Sequence, residues 1–247
     1  PRVVVGIPSG VTEVERRAVY EAAITAGARK VFLIEDPMAA AIGAGMPVSK
    51  AQGQMVIDIG GGTTEIGVIS LGGLVLNKSL RVAGDELTEA VMSFVRLKHS
   101  LLLGESTAES VKLAVGSAFE LKSEADGKQL QVVVRGRSLN DGLPKSLRLG
   151  SVEIREALMP VINTILVEIA QIIEETPPDL VADILEKGAV MAGGGSLIRG
   201  IDKLISEQTG MPVWITDNPM EAVVRGCAKV LENDGLLKKV RVVGDLG

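Results

Sequence analysis

The chain has 247 residues, 46% of them hydrophobic and 23% charged, with a formal net charge of −5. That is enough chain for a sizeable core in one or two domains, or in one domain with lobes. Mild acidity without a basic block, 2% aromatic residues, one cysteine and one histidine exclude a nucleic-acid surface, an internal disulfide and a Cys/His metal cluster.

The first run, Val3-Val4-Val5-Gly6-Ile7, is a strand that starts almost at Pro1, which predicts further sequence upstream. Pro8-Ser9-Gly10 turns the chain, and Thr12-x-x-Glu15 is a capping box for a helix that ends at Gly27. Lys30 to Glu35 is a buried strand, and Asp36-Pro37 opens a helix through Ala41-Ile42 with Pro37 at its first position. Strand, helix, strand, helix predicts a βαβ-type unit whose ligand edge lies at the strand C-termini.

Residues Met55 to Ile69 then place two apolar, β-branched runs around Gly60-Gly61-Gly62-Thr63-Thr64, with Asp58 near the end of the first. This is a hairpin with a long, Gly-rich turn, continued by Leu74-Val75-Leu76 into a three-stranded meander. Gly84-Asp85 opens the next helix. Residues 87 to 150 are more polar, with a helix over Thr107 to Ala118 and a strand over Leu130 to Gly136, and are read as an inserted subdomain. Ser151 to Glu175 is a long helix with an apolar stripe at Ile154, Leu158, Ile162, Ile165, Ile169 and Ile172, bent at Pro160. The stripe is core, because the opposite face carries Glu156, Glu168 and Glu174 rather than the basic residues of a membrane-surface helix. Ala189 to Ala192 is a strand leading through Gly193-Gly194-Gly195-Ser196 into a helix, Leu197 to Thr209. A strand at Val213 to Ile215 and a small-residue helix from Met220 to Leu231 follow.

Consecutive glycines let backbone N–H groups converge on an anion, and Thr hydroxyls add donors. Two triple-glycine loops, each after a buried strand and one beside Asp58, point to nucleotide phosphates, with Asp58 a hard oxygen ligand for an accompanying Mg2+. Neither loop is a GxGxxG or Walker A motif. A chain-reversing glycine cluster is the structural alternative for the first, and a structural Gly-rich helix entry for the second. Asp36 is either a helix N-cap or a carboxylate that orients a water attacking a phosphate, and Glu35 precedes it. Glu109 and Lys112 are spaced as a solvated i,i+3 pair. His99 is read as solvent-exposed and Cys227 as a small packed thiol.

Three segments, Glu35-Asp36-Pro37-Met38-Ala39-Ala40-Ala41-Ile42-Gly43, Asp58 to Glu65 and Ala192 to Gly200, resemble signatures of the actin/Hsp70/sugar-kinase ATPase superfamily. Within it they are most similar to the MreB family of bacterial actin homologues. Gly6 to Thr12, Arg81 to Glu86, Arg135-Gly136-Arg137 with Gly142-Leu143-Pro144, and Thr176-Pro177-Pro178 extend the resemblance nearly end to end. It implies an α/β, actin-like (ribonuclease-H-like) ATPase fold of two lobes, mixed β-sheets flanked by helices, the first lobe incomplete. Residues 1–50 and 219–247 would belong to the first lobe, 51–86 and 151–218 to the second, and 87–150 to a small inserted subdomain. It further implies ATP and Mg2+ as cofactors, with Asp58 acting on the metal or its waters. Gly60, Gly61, Gly62 and Thr63 would meet phosphates, and Gly193, Gly194, Gly195 and Ser196 adenosine. Glu109 and Lys112 would meet the nucleoside.

The implied function is self-assembly into filaments at the inner face of the cytoplasmic membrane, with cell-wall elongation proteins as partners and rod shape as outcome; no nucleic acid is involved. Asp36 stands where that family has Glu, one methylene longer, which predicts slow hydrolysis or a catalytic share for Glu35. The family's first phosphate loop would precede Pro1, so residues 1–247 alone are expected to bind ATP poorly. A sugar or acetate kinase on the same fold, an Hsp70-like nucleotide-binding domain and a non-hydrolysing scaffold are the other readings.

Overall fold

In a computed structural model, residues 1–120 and 129–242 are described. Parts of the expected 87–150 subdomain and of the 219–247 segment therefore lie outside the described residues. The first sheet is a parallel pair, β1 (Arg2–Ile7) and β2 (Lys30–Glu35), joined by α1 (Glu13–Thr25), whose Thr12–Glu15 capping box forms as the spacing predicts. Helix α2 (Asp36–Gly43) follows β2 without a loop. Here the N-cap expectation is corrected: Asp36 is the first helical residue, and the cap position is Glu35, whose side chain makes no capping bond.

The central sheet has the order β10-β9-β3-β4-β5. Strands β3 (Gln54–Ile59), β4 (Thr64–Ser70) and β5 (Gly73–Leu80) form the antiparallel meander. β9 (Ala189–Ala192) pairs in parallel with β3 on one side and β10 (Val213–Ile215) on the other. β3 is buried along its whole length, as expected of a strand covered on both faces.

A third sheet, β6-β7-β8, holds β6 (Leu101–Leu102), β7 (Gln131–Ser138) and β8 (Pro144–Gly150), with α3 (Gly84–His99) and α4 (Glu105–Val115) beside it. The sequence pattern predicts only β7 here. The two-residue β6 is too short for any periodicity, and β8 is exposed at four of its seven positions.

Helix α5 (Ser151–Glu175) runs unbroken through Pro160. It is long and apolar enough to cross a bilayer, but its six stripe residues are at most 3% exposed inside a core shared with β3, β4, α3 and α4. Helix α6 (Pro178–Lys187) precedes β9. After β9 the chain makes a 3-10 turn, Gly194–Leu197, and only then enters α7 (Ile201–Thr209). The expected helix start at Leu197 is thus four residues early, because Gly200, in the left-handed region at φ 76°, caps α7 and breaks the path. A second 3-10 turn, Pro219–Glu221, leads to α8 (Ala222–Glu232) and then α9 (Asp234–Val240). α8 packs on α2 in a second core containing Met38, Ala39, Ile42, Val56 and Val230.

Candidate functional site

Because β3 and β9 run parallel with Asp58 beside Ala192, the chain leaves both strands at the same edge. The turn after β3 and the loop after β9 therefore emerge side by side, as at the ligand edge of open α/β sheets. Contact between them is close. A Cβ on Gly193 would stand 2.5 Å from a carboxylate oxygen of Asp58, and Gly193 also needs a φ of 78°, so glycine is required on both counts.

The Gly60–Thr63 turn is closed by the Gly60 N–H donating to the Thr63 carbonyl at 2.8 Å. It is docked on α3, whose Gly84 and Asp85 N–H groups donate to the Gly60 and Gly61 carbonyls at 3.1 and 2.8 Å. The N–H groups of Gly61, Gly62 and Thr63 make no hydrogen bond to a described residue. Three backbone donors on a pinned glycine turn make an anion cradle.

Together these parts wall a cavity of about 540 Å³. Asp58, Gly60, Gly61, Glu109, Lys112, Gly193, Gly194 and Gly195 all line it. Gly62 and Thr63 sit at the turn outside the lining. Ser196 does not line it either: its side chain is fully buried and its hydroxyl donates to the Gly193 carbonyl at 2.7 Å. Neither Glu35 nor Asp36 lines the cavity. Lining residues beyond those expected include Asp85 and Arg199, which lie within the segments of family resemblance, and Leu113 and Met220, which lie outside them. Leu113, Leu197 and Met220 are 61%, 52% and 75% exposed, an apolar rim of the kind a flat base would cover. Arg199 fixes that rim by donating to the carbonyls of Leu113 and Gly116.

The Glu109–Lys112 pair departs from the solvated expectation. Lys112 is 7% exposed, and its ammonium donates to Glu109 at 2.5 Å, to the Gly84 carbonyl at 2.8 Å and to the Thr88 hydroxyl at 2.9 Å. All three ammonium protons are matched, which makes the burial tolerable and places a fixed cation beside the cavity. His99 is likewise not solvent-exposed. It ends α3 three-quarters buried, with a ring nitrogen 3.2 Å from Glu153, because the turn into β6 folds it back on α5. Cys227 is buried and packed as expected.

Burial first, then Asp36 and Glu65, push the Asp58 carboxyl up to about 7. Burial and then Glu65 push Asp36 up to about 6, and burial raises Glu35 despite Arg16 nearby. Among the described residues no three His, Cys, Asp or Glu side chains converge as a metal cage. A buried carboxylate on the cavity wall beside the glycine turn nevertheless suits Mg2+, which takes one or two carboxylates and completes its shell with phosphate and water.

A family model described as MreB/Mbl protein matches residues 1–239. This chain belongs to the MreB/Mbl family. The cell shape-determining protein MreB of Escherichia coli K12 is 49% identical over 233 residues, covering 94% of this chain and 65% of the relative. The cell shape-determining protein Mbl of Bacillus subtilis is 39% identical over 239 residues, covering 97% of this chain and 70% of the relative. The chain thus spans about 65% of the length of the MreB relatives it matches. The crystal structure of MreB5 of Spiroplasma citri with ADP superposes with a TM-score of 0.90 at 35% identity, over 96% of this chain and 70% of that one. A MamK filament structure shares the fold at a TM-score of 0.76 and 20% identity. The α/β actin-like class is therefore that of MreB and its structural neighbours.

Proposed function

We propose that the whole protein is an ATP-binding, filament-forming actin homologue that maintains rod cell shape, and that the cavity described above holds the nucleotide. The observation that carries this reading is the convergence of two glycine loops from parallel neighbouring strands, a buried carboxylate and a buried ammonium on one cavity. The nucleotide named for the MreB5 structures, ADP in one and AMPPNP in another, supports it.

In this reading Gly60 to Thr63 receive phosphate oxygens on backbone N–H groups and Thr63 adds a hydroxyl. Gly193 to Gly195 back the nucleoside, with Ser196 shaping that loop from within. Glu109, held by Lys112, accepts from sugar hydroxyls. Asp58 holds Mg2+ directly or through water, and a bound Mg2+ would supply neutralisation of phosphate charge. Asp36 is assigned the orientation of the attacking water and Glu35 its support. The domain reading follows the sheets: 1–50 with 219–247 for one lobe, 51–86 with 151–218 for the other, and 87–150 as an insert. Cytoplasmic filaments against the inner membrane face, working with cell-wall elongation proteins, complete the proposal.

The test is ATP turnover and Mg-ATP-dependent pelleting of the full-length protein. Asp58→Ala should lower turnover about a hundredfold, since a catalytic metal supplies several kcal/mol of charge stabilisation. ATP consumption that requires a sugar acceptor, or unchanged turnover in Asp58→Ala, would sink the reading.

A further inference from the structure

Glu65 lies on β4 two residues beyond the Gly60–Thr63 turn and is 2% exposed. A carboxylate taken out of water is costly unless donors match its oxygens. One oxygen accepts from the Ser9 backbone N–H at 3.1 Å and from the Ser9 hydroxyl at 2.5 Å. The other accepts from the Ser79 hydroxyl at 2.5 Å, and Ser79 stands directly opposite in the β4–β5 ladder. Ser9 belongs elsewhere: it sits in the turn between β1 and α1, on the first sheet and 56 residues earlier. That turn is pressed onto the central sheet, since a Cβ on Gly10 would lie 3.1 Å from the Ser79 Cβ. Neither serine nor Glu65 lines the cavity.

We propose that Ser9, Glu65 and Ser79 form a latch that fixes the first sheet against the ligand hairpin, which makes Glu65 a positioning residue for turnover. The proposal rests on the reading of Gly60 to Thr63 as a phosphate turn. Two short, stiff paths carry it. From the ligand turn, Thr63-Thr64-Glu65 is continuous chain, and the turn is pinned to α3. From the other side, β1 ends at Ile7, paired with Glu35 in β2, and Asp36 follows immediately. Glu65 itself stands opposite Asp58 across the β3–β4 ladder. The latch therefore sets the separation of Asp36, carried by the first sheet, from Asp58, carried by the central one. Nucleotide contacts belong to the central sheet and its neighbours, so loosening the latch misplaces Asp36 while leaving the binding surface in place. The latch acts through hydrogen-bond geometry. A glutamine there can accept from Ser9 with its carbonyl and donate to Ser79, whose hydroxyl turns to accept.

The experiment compares full-length wild type with Ser9→Ala/Ser79→Ala, Gly10→Val and Glu65→Gln. The double variant and Gly10→Val should lower kcat about tenfold while the Kd for ATP stays within about twofold, the split expected when reacting groups are displaced but binding is intact. Glu65→Gln should stay within about twofold of wild type in both. A kcat in the double variant equal to wild type overturns the latch, and so does loss of turnover in Glu65→Gln, which would mean that the charge itself acts. Hydrogen exchange of the Ser9 amide, read without nucleotide, tests the latch even if wild type hydrolyses no ATP. It should quicken about tenfold in Ser79→Ala and in Gly10→Val, and unchanged exchange in both overturns the proposal. Failure of the functional reading instead shows as wild type without Mg-dependent turnover, with Ser9 exchange still responding to Ser79→Ala.

Discussion

Lys112 shows how a surface-looking pair becomes part of a site. Its three acceptors come from two helices: Glu109 on its own, and the Gly84 carbonyl and Thr88 hydroxyl on α3. Removing the ammonium takes a charged donor from the Gly84 carbonyl and the Thr88 hydroxyl, which keep only their bonds to each other and to Glu109, at a cost of about 2 kcal/mol in total. Lys112→Met should lower the urea midpoint accordingly and weaken nucleotide binding, and a midpoint equal to wild type would mean that α3 relaxes to water. The buried acids Asp58, on the cavity wall, and Asp36 make a second prediction. Asp58 and Asp36 are raised from 3.8 to about 7 and about 6. The folded state therefore holds more protons than the unfolded one between those values. Their stability contribution is fully present below about 4 and is lost as pH rises through about 6 and 7. Urea unfolding without Mg2+ should give a more stable protein at pH 5 than at pH 8, and Asp58→Asn should flatten that dependence. Spacing alone offered Glu109 and Lys112 as solvated because the acceptors on α3 lie more than twenty positions away in sequence. The role of Glu65 is hidden in a similar way, because its Ser9 donor lies 56 positions away.

At the scale of elements, strong patterns were legible and weak ones were not. The stripe of α5 was readable because six apolar residues recur at helical spacing, and all six are buried. Ile162 is 1% exposed among α5's core neighbours, whereas Val167 on the same helix is 64% exposed. Ile162→Ala should cost about 3 kcal/mol through lost transfer energy and the cavity left behind. Val167→Ala should cost under about 0.5 kcal/mol, as surface substitutions do. Chemical denaturation of the pair checks the buried face, and equal losses would mean that α5 is rotated from its assigned position. The capping box of α1 and the glycine hairpin were likewise visible, since each is a local arrangement with its own chemistry. Hidden elements were those held by tertiary contacts: β6, β8, α9 and the two 3-10 turns. The 3-10 turn after Gly193 matters most, because it keeps α7 away from the cavity edge and leaves loop backbone there instead.

At the scale of the molecule, what the chain alone did not reveal is the β3–β9 pairing, which joins segments about 130 positions apart and creates the cavity. The distribution of charge is also a property of the fold. Arg135, Arg137 and Arg148 are exposed on β7 and β8, and none makes an ion pair with a described residue. The register sets Arg148 opposite Val133, on the same outward face as Arg135 and Arg137, with exposed Val133, Leu139 and Leu143 nearby. Directly after β8 comes α5, which at 1.5 Å per residue carries the chain about 37 Å to its far end. Exposed Glu174, Glu175 and Asp179 lie at that end, and α6 beyond it carries exposed Leu185 and Glu186. A basic pole and an acidic pole at opposite ends of one helix favour heterologous, head-to-tail contact over a two-fold dimer. If the full-length protein assembles as proposed, these poles predict an electrostatic share in the contact that salt screens. Raising salt from about 0.05 to 0.5 M should raise the concentration needed for pelleting several-fold, a range over which the screening length falls below 10 Å. Arg135→Glu/Arg148→Glu and Glu174→Lys/Glu175→Lys should each block pelleting alone. Mixed together, the reversed poles match each other, while the two native poles left on such a pair still match. Sedimentation should then recover assembly in the mixture, and recovery failing while each variant still binds ATP would exclude these poles as the contact.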